Sequence, residues 1–410
     1  MLVAPESLPY IRGTNFIAMS WESPNTIVGP AAEDKKYLDR PSIIEEFWQA
    51  IDRGEHILFT APRRVGKSSV MKELQARQRT DTLVIYQDVE SDSKTQEFYK
   101  RLWGIIVERL DGKGKAHEHF IQWWKSRSIA EVGAEGVTIE RSEIDHKEEL
   151  LTLIKKLGEE RIRVVLLLDE FPDVVAAIQR EEGKDAAKNL LNTMRSIRQD
   201  GHLKNFKFVL AGSVGLGHVV ASVDRPRLIN DLRTIHIPAL TEPEAHALLD
   251  LLLSGATMQL DNACRAALLA AIHHKLPVYI QLMIEELDTM ARKRNDPTIT
   301  QAMIPMAMEN VIQENKHFVD WESRLRSYLD PKDYAYSESI LTRCAHQESF
   351  TLQEAYNLSK SLVPVAGYRA LIDDVLVKDG YLYEDRGTLS FLSPFLKKWW
   401  GKRHPEYEIE

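Results

Sequence analysis

The sequence predicts an α/β protein built around a doubly wound parallel sheet. Between about residues 36 and 240, short apolar segments alternate with longer segments of helical periodicity. The short segments are apolar throughout, which is typical of parallel strands that helices cover on both faces. The chain has 410 residues, which is enough for two or three domains. We therefore expect the sheet to form one large domain that is followed by smaller ones.

Composition and charge exclude several classes of protein. Hydrophobic residues make up 44% of the chain and charged residues 28%, as in ordinary globular proteins. The 53 basic and 61 acidic residues give a net charge of −8, which argues against coating of nucleic acid by bulk charge. Cys264 and Cys344 match no metal-ligand spacing and favour a reducing, cytoplasmic location. We expect no signal peptide and no membrane partner, since no apolar run approaches about 18 residues.

The first elements surround a loop that contains one glycine. A helix is predicted near Pro41, because Ile43, Phe47 and Ile51 recur at helical spacing, and Gly54 ends it. The predicted strand HILFT comes next and is followed by the loop APRRVGKSS and a second helix. The later predicted strands are LVIYQDVE, RVVLLLDEF, KFVLAGS and RTIHIPAL, with helices at about 95–110, 117–127, 146–158 and 184–199.

Two smaller regions follow the predicted sheet. The segment TEPEAHALLDLLL opens a mostly helical region, in which Thr241 and Glu244 form a predicted capping box. Three further helices and a hairpin that turns at Arg386-Gly387 match the winged-helix pattern; these helices are predicted near 333–346, 351–359 and 365–379. The predicted domains are an N-terminal arm (1–35), a core (36–240), a helical lid (241–320) and a winged-helix domain (321–410).

The loop between the first strand and the second helix matches the phosphate-loop pattern. That pattern is Gly, four residues, and then Gly-Lys-Ser/Thr; here Ala61 replaces the first glycine, and Gly66, Lys67 and Ser68 fit. Backbone N–H groups and the helix N-terminus would surround a phosphate there. Lys67 would neutralise the β- and γ-phosphates, and the Ser68 hydroxyl would bind Mg²⁺. The predicted ATP-binding residues are Ala61, Pro62, Arg63, Arg64, Val65, Gly66, Lys67, Ser68 and Ser69, although Arg63 and Arg64 could equally be solvated loop charges.

A pair of carboxylates follows the apolar strand RVVLLL. Ligands of open α/β sheets bind beyond the carboxyl ends of strands, where Asp169 and Glu170 are predicted to lie. Asp169 would hold Mg²⁺, and Glu170 would deprotonate the attacking water. Ser213, after the next strand, is either a sensor of the γ-phosphate or an ordinary turn serine. The acids Asp88 and Glu90 either reach the site or are solvated.

The order of these motifs resembles that of AAA+ and STAND-like ATPases, in particular the archaeal-type branch related to origin-recognition-type loaders. The resemblance rests on TAPRRVGKSS, VVLLLDEF, VLAGS and IHIPALTEPEA, and extends over nearly the whole chain through HHKLPVYIQLM and the predicted winged helix. It implies ATP and Mg²⁺ as ligands, a catalytic role for Lys67 and Glu170, and a lid that contributes to the site.

The resemblance also implies roles for residues outside the two main motifs. Arg40, in YLDRPSI, lies where the family holds adenine, and Pro277 matches the lid proline. Lys275 could supply the cation of the lid. Arginine fingers act in trans and stabilise the charge of the transition state. Candidates for such a finger are Arg225, Arg227 and Arg233, of which Arg227 and Arg233 are favoured over Arg225, with a solvated basic loop as the alternative.

The net charge of the predicted winged-helix domain affects which partner it can bind. From Ser323 to Glu410 there are 12 basic and 13 acidic residues, a balance of −1. The predicted recognition helix carries Arg369 and Lys378 but also three aspartates, which phosphates would repel. DNA is therefore a possible partner but not a favoured one, and self-association or a protein partner is expected.

These observations predict an ATP-binding and ATP-hydrolysing molecular switch that couples Mg-ATP to assembly or partner binding. One alternative is a DNA-associated loader or transposition-type regulator that uses the winged helix. Another is a scaffold that binds ATP and hydrolyses it very slowly.

Overall fold

The computed structural model describes residues 20–110, 145–212, 216–223, 226–364 and 367–405. The helix predicted at about 117–127 lies outside these residues. The central sheet has five parallel strands in the order β2-β3-β4-β1-β5, which confirms the predicted α/β fold. The strands are β1 (His56–Thr60), β2 (Thr82–Asp88), β3 (Arg163–Asp169), β4 (Phe206–Ala211) and β5 (Leu232–His236).

Helices cover both faces of this sheet because its strands are apolar on both sides. Along β3, Val165 and Leu167 face one buried cluster, whereas Leu166 and Leu168 face the other. The first cluster includes α1 (Pro41–Asp52) and α2 (Lys67–Ala76). The second includes α3 (Thr95–Leu110), α4 (His146–Glu159), α5 (Phe171–Glu181), α6 (Lys184–Gln199) and α7 (Leu216–Val223).

The strand order separates the phosphate-loop strand from the strand of the acid pair by one strand. Leu58 of β1 pairs with Leu210 of β4, and Leu210 pairs in turn with Leu168 of β3. The three strands therefore end at the same edge of the sheet. The loop after β1 and the carboxylates after β3 both lie at that edge.

A helical region follows β5. The capping box at the start of α8 (Glu242–Leu253) is present, with the Thr241 hydroxyl accepting from Glu244 N and the Glu244 carboxylate accepting from Thr241 N. This observation explains why a helix begins there. The remaining helices of the region are α9 (Asn262–Ile272), α10 (Pro277–Arg294) and α11 (Met303–Gln313).

Residues 319–405, which we call the C-terminal unit, combine helices with a small sheet. A three-stranded sheet in the order β6-β8-β7 packs with the helices, and Arg386-Gly387 connects β7 to β8 as predicted. The strands are β6 (Phe350–Thr351), β7 (Leu382–Asp385) and β8 (Thr388–Phe391). The helices are α12 (Val319–Tyr328), α13 (Pro331–His346), α14 (Leu352–Leu362), α15 (Tyr368–Ala370), the π-helix Leu371–Val377, and α16 (Pro394–Arg403).

The helix predicted at 365–379 differs from the observed segment. Its main part, Leu371–Val377, is a π-helix, in which Lys378 N donates to Asp373 O. The two aromatic side chains of α16, Trp399 and Trp400, are buried. They therefore pack in the core and do not form an exposed stacking platform.

Residues 20–33, which we call the strap, cross from the helical region to α2. Asn25 N donates to Leu252 O at 2.8 Å, and Ala32 N donates to Ser69 Oγ at 2.9 Å. The strap is therefore attached at both ends to different parts of the fold. Within the described ranges, every helix is either too short or too polar to cross a membrane.

Candidate functional site

The loop between β1 and α2 has the backbone that a phosphate loop requires. Gly66 adopts φ 95°, in the left-handed region that favours glycine, and α2 begins at Lys67. Arg64 also has a positive φ of 62°. Ala61 is not among the positive-φ residues, so its β-carbon causes no backbone strain where the motif has its first glycine. The N-terminus of α2 therefore faces the same edge of the sheet as the acid pair.

Lys67, Ser68 and Asp169 meet at this edge. Lys67 Nζ lies 2.7 Å from Asp169 Oδ1 and 3.6 Å from Glu170 Oε1. Ser68 Oγ donates to Asp169 Oδ2 at 2.5 Å. The structure thus brings together the four residues of the two predicted motifs.

The charges in this cluster stabilise one another. Burial disfavours the ammonium of Lys67, but Asp169 and Glu170 outweigh it and raise the pKa of Lys67 above its ordinary value. Burial alone would raise the pKa of Asp169, yet Lys67 and the Ser68 hydroxyl lower it. Both groups are therefore charged at neutral pH.

Tyr86 is part of this cluster, although the sequence motifs do not include it. Its hydroxyl donates to Asp169 Oδ2 at 3.2 Å, and Tyr86 lies on β2, next to β3. Burial and the Asp169 charge raise the pKa of Tyr86. It therefore remains a hydrogen-bond donor that fixes the orientation of the carboxylate.

Glu170 occupies the turn between β3 and α5 and has a positive φ of 55°. Pro172, in the first turn of α5, packs directly against Gly212, the residue after β4. A β-carbon built on Gly212 would lie only 2.3 Å from Pro172 Cδ. One helical turn after Glu170, the Tyr328 hydroxyl donates to one oxygen of Asp173. The other oxygen is buried and has no hydrogen-bond partner within the described ranges.

Asp173 is an unusual carboxyl group for the surface of a helix. Burial, together with the charge of Glu170, raises its pKa to about 7 from an ordinary value near 3.8. It therefore takes up a proton far more readily than a solvated aspartate. Asp173 also has a cationic neighbour, Arg324 of α12, whose Nη1 lies 3.7 Å from Asp173 Oδ1.

Arg324 brings a cation of the C-terminal unit to the acid pair. Its Nη2 lies 3.2 Å from Glu90 Oε1, and Glu170 is one of the carboxylates that raise its pKa. Glu90 thus reaches this edge, although both it and Asp88 are exposed, and Asp88 accepts from Glu90 N. The sequence motifs give no signal for Arg324, because it comes from a helix far along the chain.

The two loop arginines have different surroundings. Arg63 Nη2 lies 2.7 Å from Asp320 Oδ2, and its guanidinium lies over the Trp321 ring at 5.4 Å. Arg64 makes no ion pair with any residue in the described ranges, and burial lowers the pKa of its guanidinium. Neither arginine is a freely solvated loop charge.

A cavity of about 350 Å³ runs along the loop. Its lining combines the loop residues and Glu170 with a separate apolar set from the strap and the helical region. Pro277, the first residue of α10, lines it as well. Arg40 also lines it, but its guanidinium contacts Glu244 and Pro238 O and is therefore occupied by hydrogen bonds.

Other predicted residues lie elsewhere or outside the described ranges. Lys275 Nζ pairs with Glu242 at 2.7 Å. Arg233 lies towards the amino end of β5, away from the phosphate-loop edge, and contacts Glu46 at 3.6 Å. Arg227 lies exposed shortly before β5. Ser213 and Arg225 lie outside the described residues.

The donor set at this edge fits a hard divalent cation. A hydroxyl and a carboxylate oxygen, Ser68 Oγ and Asp169 Oδ2, already converge on one point. Oxygen ligands of this kind suit Mg²⁺, which is usually held by one or two protein groups together with substrate phosphates. Lys67 lies beside them and complements the charge of a phosphate.

Comparison with known proteins agrees with this geometry. Residues 51–220 match the AAA domain family. The Walker-type ATPase PABY2304 of Pyrococcus abyssi has a similar structure, with a TM-score of 0.61, 16% identity, and coverage of 91% of this chain and 98% of that one. The ORC2 protein of Aeropyrum pernix, in ADPNP-ADP complexes, gives a TM-score of 0.51 at 13% identity, covering 93% and 95%. No curated protein matches the chain.

The fold and the loop therefore define a P-loop NTPase. Within that class, residues 51–220 match the AAA domain family, which supports ATPase activity, and the chain is similar in fold to the Walker-type ATPase of Pyrococcus abyssi. AAA+ ATPases bind ATP together with Mg²⁺.

Proposed function

We propose that the chain is an ATP-driven, STAND-like molecular switch. Mg-ATP bound at the phosphate loop sets the position of the C-terminal unit, and that position controls self-assembly or binding of a protein partner. The observation that carries this proposal is the direct contact between the loop and the C-terminal unit. Arg63 contributes its guanidinium to Asp320 and its backbone N–H to Asp379 O, at 2.7 and 3.3 Å.

The residues at the sheet edge have separate roles in this proposal. Lys67 binds the β- and γ-phosphates, and backbone N–H groups of the loop surround them. Ser68 and Asp169 would hold Mg²⁺, which would neutralise charge that develops on the phosphates. Glu170 orients the attacking water and accepts its proton. Tyr86 keeps the Asp169 carboxylate in place through its hydrogen bond.

The C-terminal unit also contacts the proposed base. Arg324 and Tyr328 of α12 both reach Asp173, which lies one helical turn from Glu170. A shift of α12 therefore moves the charge of Arg324 relative to Glu170. Conversely, a displacement of Glu170 changes the electrostatic attraction that α12 experiences through Arg324. Two-state coupling requires contacts that differ between the states, and these contacts are suitable candidates.

The arrangement of the C-terminal unit supports a winged helix, with β7 and β8 as the wing. A DNA-associated function that uses this winged helix is the second candidate. The charges of the predicted recognition segment argue against DNA binding. Arg369 pairs with Asp373 and Glu384, and Lys378 pairs with Asp374, so the basic side chains of the predicted recognition segment are neutralised. We therefore favour a protein partner or a second copy of the chain.

Hydrogen exchange in the presence of different nucleotides tests the switch. We expect exchange in α12 and around Asp379 to differ between ATP and ADP in the Glu170→Gln variant, which would hold ATP uncleaved. The Lys67→Ala variant serves as the control, and its exchange should not respond to either nucleotide. Identical exchange with ATP and ADP would refute the switch while leaving nucleotide binding intact.

A filter assay with duplex DNA tests the second candidate. Because Arg369 and Lys378 are paired with carboxylates, we expect only weak, salt-sensitive binding at physiological salt. Tight, sequence-selective binding would favour the loader over the switch.

A further inference from the structure

The lining of the cavity contains an apolar region beside the phosphate loop. Ile27 of the strap, Leu38, Leu248 of α8 and Val278 of α10 contribute to it. Apolar side chains at this place provide no partner for phosphate or ribose hydroxyl groups. They suit the flat, largely apolar faces of a nucleobase.

Gln281 of α10 is one of the polar side chains in the cavity lining, and it follows Val278 of the apolar set by three positions along α10. It is 9% exposed, and its Oε1 accepts from Ile27 N at 2.6 Å. This hydrogen bond fixes which end of the amide is oxygen, because a backbone N–H requires an acceptor. The amide nitrogen Nε2 is therefore the other end, and it has no hydrogen-bond partner among the residues that the structure describes.

In the Gln281 amide, the oxygen is hydrogen-bonded, but the nitrogen is not bonded to any residue in the described part of the chain. Buried polar groups in proteins are nearly always hydrogen-bonded, and an unused donor that lines a cavity suits a ligand acceptor. Neither Asp39 nor Arg40 offers a comparable group. Asp39 pairs with Arg77, and the Arg40 guanidinium is held by Glu244 and Pro238 O.

We propose that Gln281 is the specificity-determining residue of this site: it donates Nε2–H to an unprotonated ring nitrogen of a purine base that lies between the strap and α10. This inference rests on the proposed nucleotide site and names the group that selects its base. The same side chain anchors the strap through Ile27 N, so base recognition and strap position share one residue.

Two variants separate recognition from packing. Gln281→Glu keeps an acceptor for Ile27 N but replaces the donor with an acceptor, whereas Gln281→Met keeps the length and loses both functions. Gln301→Glu is a matched control, since it adds the same charge at an exposed position. The ligands are ATP and its 1-deaza, 3-deaza and 7-deaza analogues, each of which lacks one ring nitrogen.

Calorimetry on the full chain gives the decisive comparison. We expect one analogue to bind the native chain about tenfold more weakly than ATP, in keeping with the loss of one hydrogen bond in a buried site. That difference should vanish in both Gln281 variants and persist in Gln301→Glu, as in a double-mutant cycle. If all three analogues bind like ATP, or if the weak analogue stays equally weak in the variants, the proposal is wrong.

Inorganic tripolyphosphate with Mg²⁺ keeps this test separate from that of the nucleotide site itself. Its binding should depend on Lys67 and not on Gln281. Binding of ATP that is unchanged in Lys67→Ala would refute the nucleotide site. Intact tripolyphosphate binding without discrimination among the analogues would refute only the role of Gln281.

Discussion

Gly380 of the C-terminal unit lies directly against Pro62 of the phosphate loop. A β-carbon built on Gly380 would be 2.8 Å from Pro62 Cβ, closer than real β-carbons approach another atom. Gly380 also has a φ of +85°, which side-chain-bearing residues rarely adopt. The loop and the C-terminal unit therefore touch with no space for a single methyl group.

Gly380→Ala should separate the C-terminal unit from the phosphate loop. The added methyl group forces Pro62 away, and we expect a loss of about 1–3 kcal/mol in the free energy of unfolding, as in other overpacked contacts. ATP affinity should change as well, because Pro62 belongs to the loop. Denaturant unfolding and calorimetry measure the two effects.

Gly387→Ala is the matched control for this substitution. Gly387 has a φ of +83°, nearly the same backbone conformation, but nothing lies within 4 Å of its would-be β-carbon. It should therefore show the backbone strain without any change in ATP affinity. Equal effects of the two substitutions on ATP binding would contradict a specific role of the Gly380 contact.

Lys67→Ala should abolish most ATP binding. The substitution removes a charge-assisted contact to phosphate, so we expect affinity to fall by about 10- to 100-fold. Lys155→Ala, which removes an equal charge at an exposed position of α4, should bind ATP normally. Because Lys67 also neutralises the buried Asp169, circular dichroism should first establish that the variant is folded. Native-like affinity in a folded Lys67→Ala chain would remove the phosphate-loop assignment.

Glu170→Gln should separate binding from hydrolysis. The amide keeps the shape of the side chain but cannot accept the proton of the attacking water. We expect ATP to bind and turnover to fall by about 10²-fold or more, within the range for loss of a general base. Turnover is measured by phosphate release, with Glu181→Gln, an exposed substitution at the end of α5, as the control. Unchanged turnover would place the base at another residue.

Asp173 should make stability depend on pH between about 4 and 7. Its pKa is raised to about 7 in the folded chain, where burial, Glu170 and Glu90 oppose its charge, and where Arg324 and Tyr328 favour it only partly. The folded state therefore holds this proton more tightly than the unfolded state. The resulting stabilisation is complete below about pH 4 and is lost as the pH rises through 7.

Asp173→Asn removes this titration. The free energy of unfolding of the native chain, relative to that of the variant, should fall with rising pH by up to roughly 1.4 kcal/mol for each unit of pKa shift. Urea unfolding at several pH values measures this difference. Asp185→Asn, at an exposed position of α6, should give a profile parallel to that of the native chain. A parallel profile for Asp173→Asn would show that Asp173 titrates normally.

Arg227 or Arg233 should act on a neighbouring chain if hydrolysis requires a cation in trans. Turnover per chain should then rise with protein concentration. Mixing Glu170→Gln chains with chains that lack both arginines should restore part of the activity, because each chain supplies what the other lacks. Glu46→Gln controls for loss of the Arg233 ion pair. A monomer with constant turnover at all concentrations, by sedimentation, would exclude the trans arrangement.

The sheet could be predicted from the sequence because its strands are short apolar runs with polar ends. The run before Asp169 is apolar on both faces, and both faces are buried. The capping box at Thr241 can also be predicted from the sequence, since it depends on residues three positions apart. Local patterns of this kind require no knowledge of the tertiary fold. The sequence patterns above do not predict α5, although Pro172 in its first turn is a typical start signal.

Long-range partners could not be predicted in the same way. Tyr86, Arg324 and Gln281 lie on elements whose periodicity shows which face is buried but not which group that face meets. Their importance depends on the strand order and on the docking of α12, which no local pattern encodes. The π-helix at Leu371–Val377 is a similar case, because its side-chain pattern does not differ clearly from that of an α-helix.

The hydrogen bonds of the strap affect how quickly a nucleotide can be exchanged. Its backbone is hydrogen-bonded to Leu252 on one side of the cavity and to Ser69, next to the phosphate loop, on the other. Strap residues also line the cavity, so we expect opening of these bonds to assist the release of a nucleotide. In the proposed switch, we therefore expect exchange of ADP for ATP to be slower when residues 20–33 are held more firmly, so that the lifetime of each nucleotide state depends on the strap.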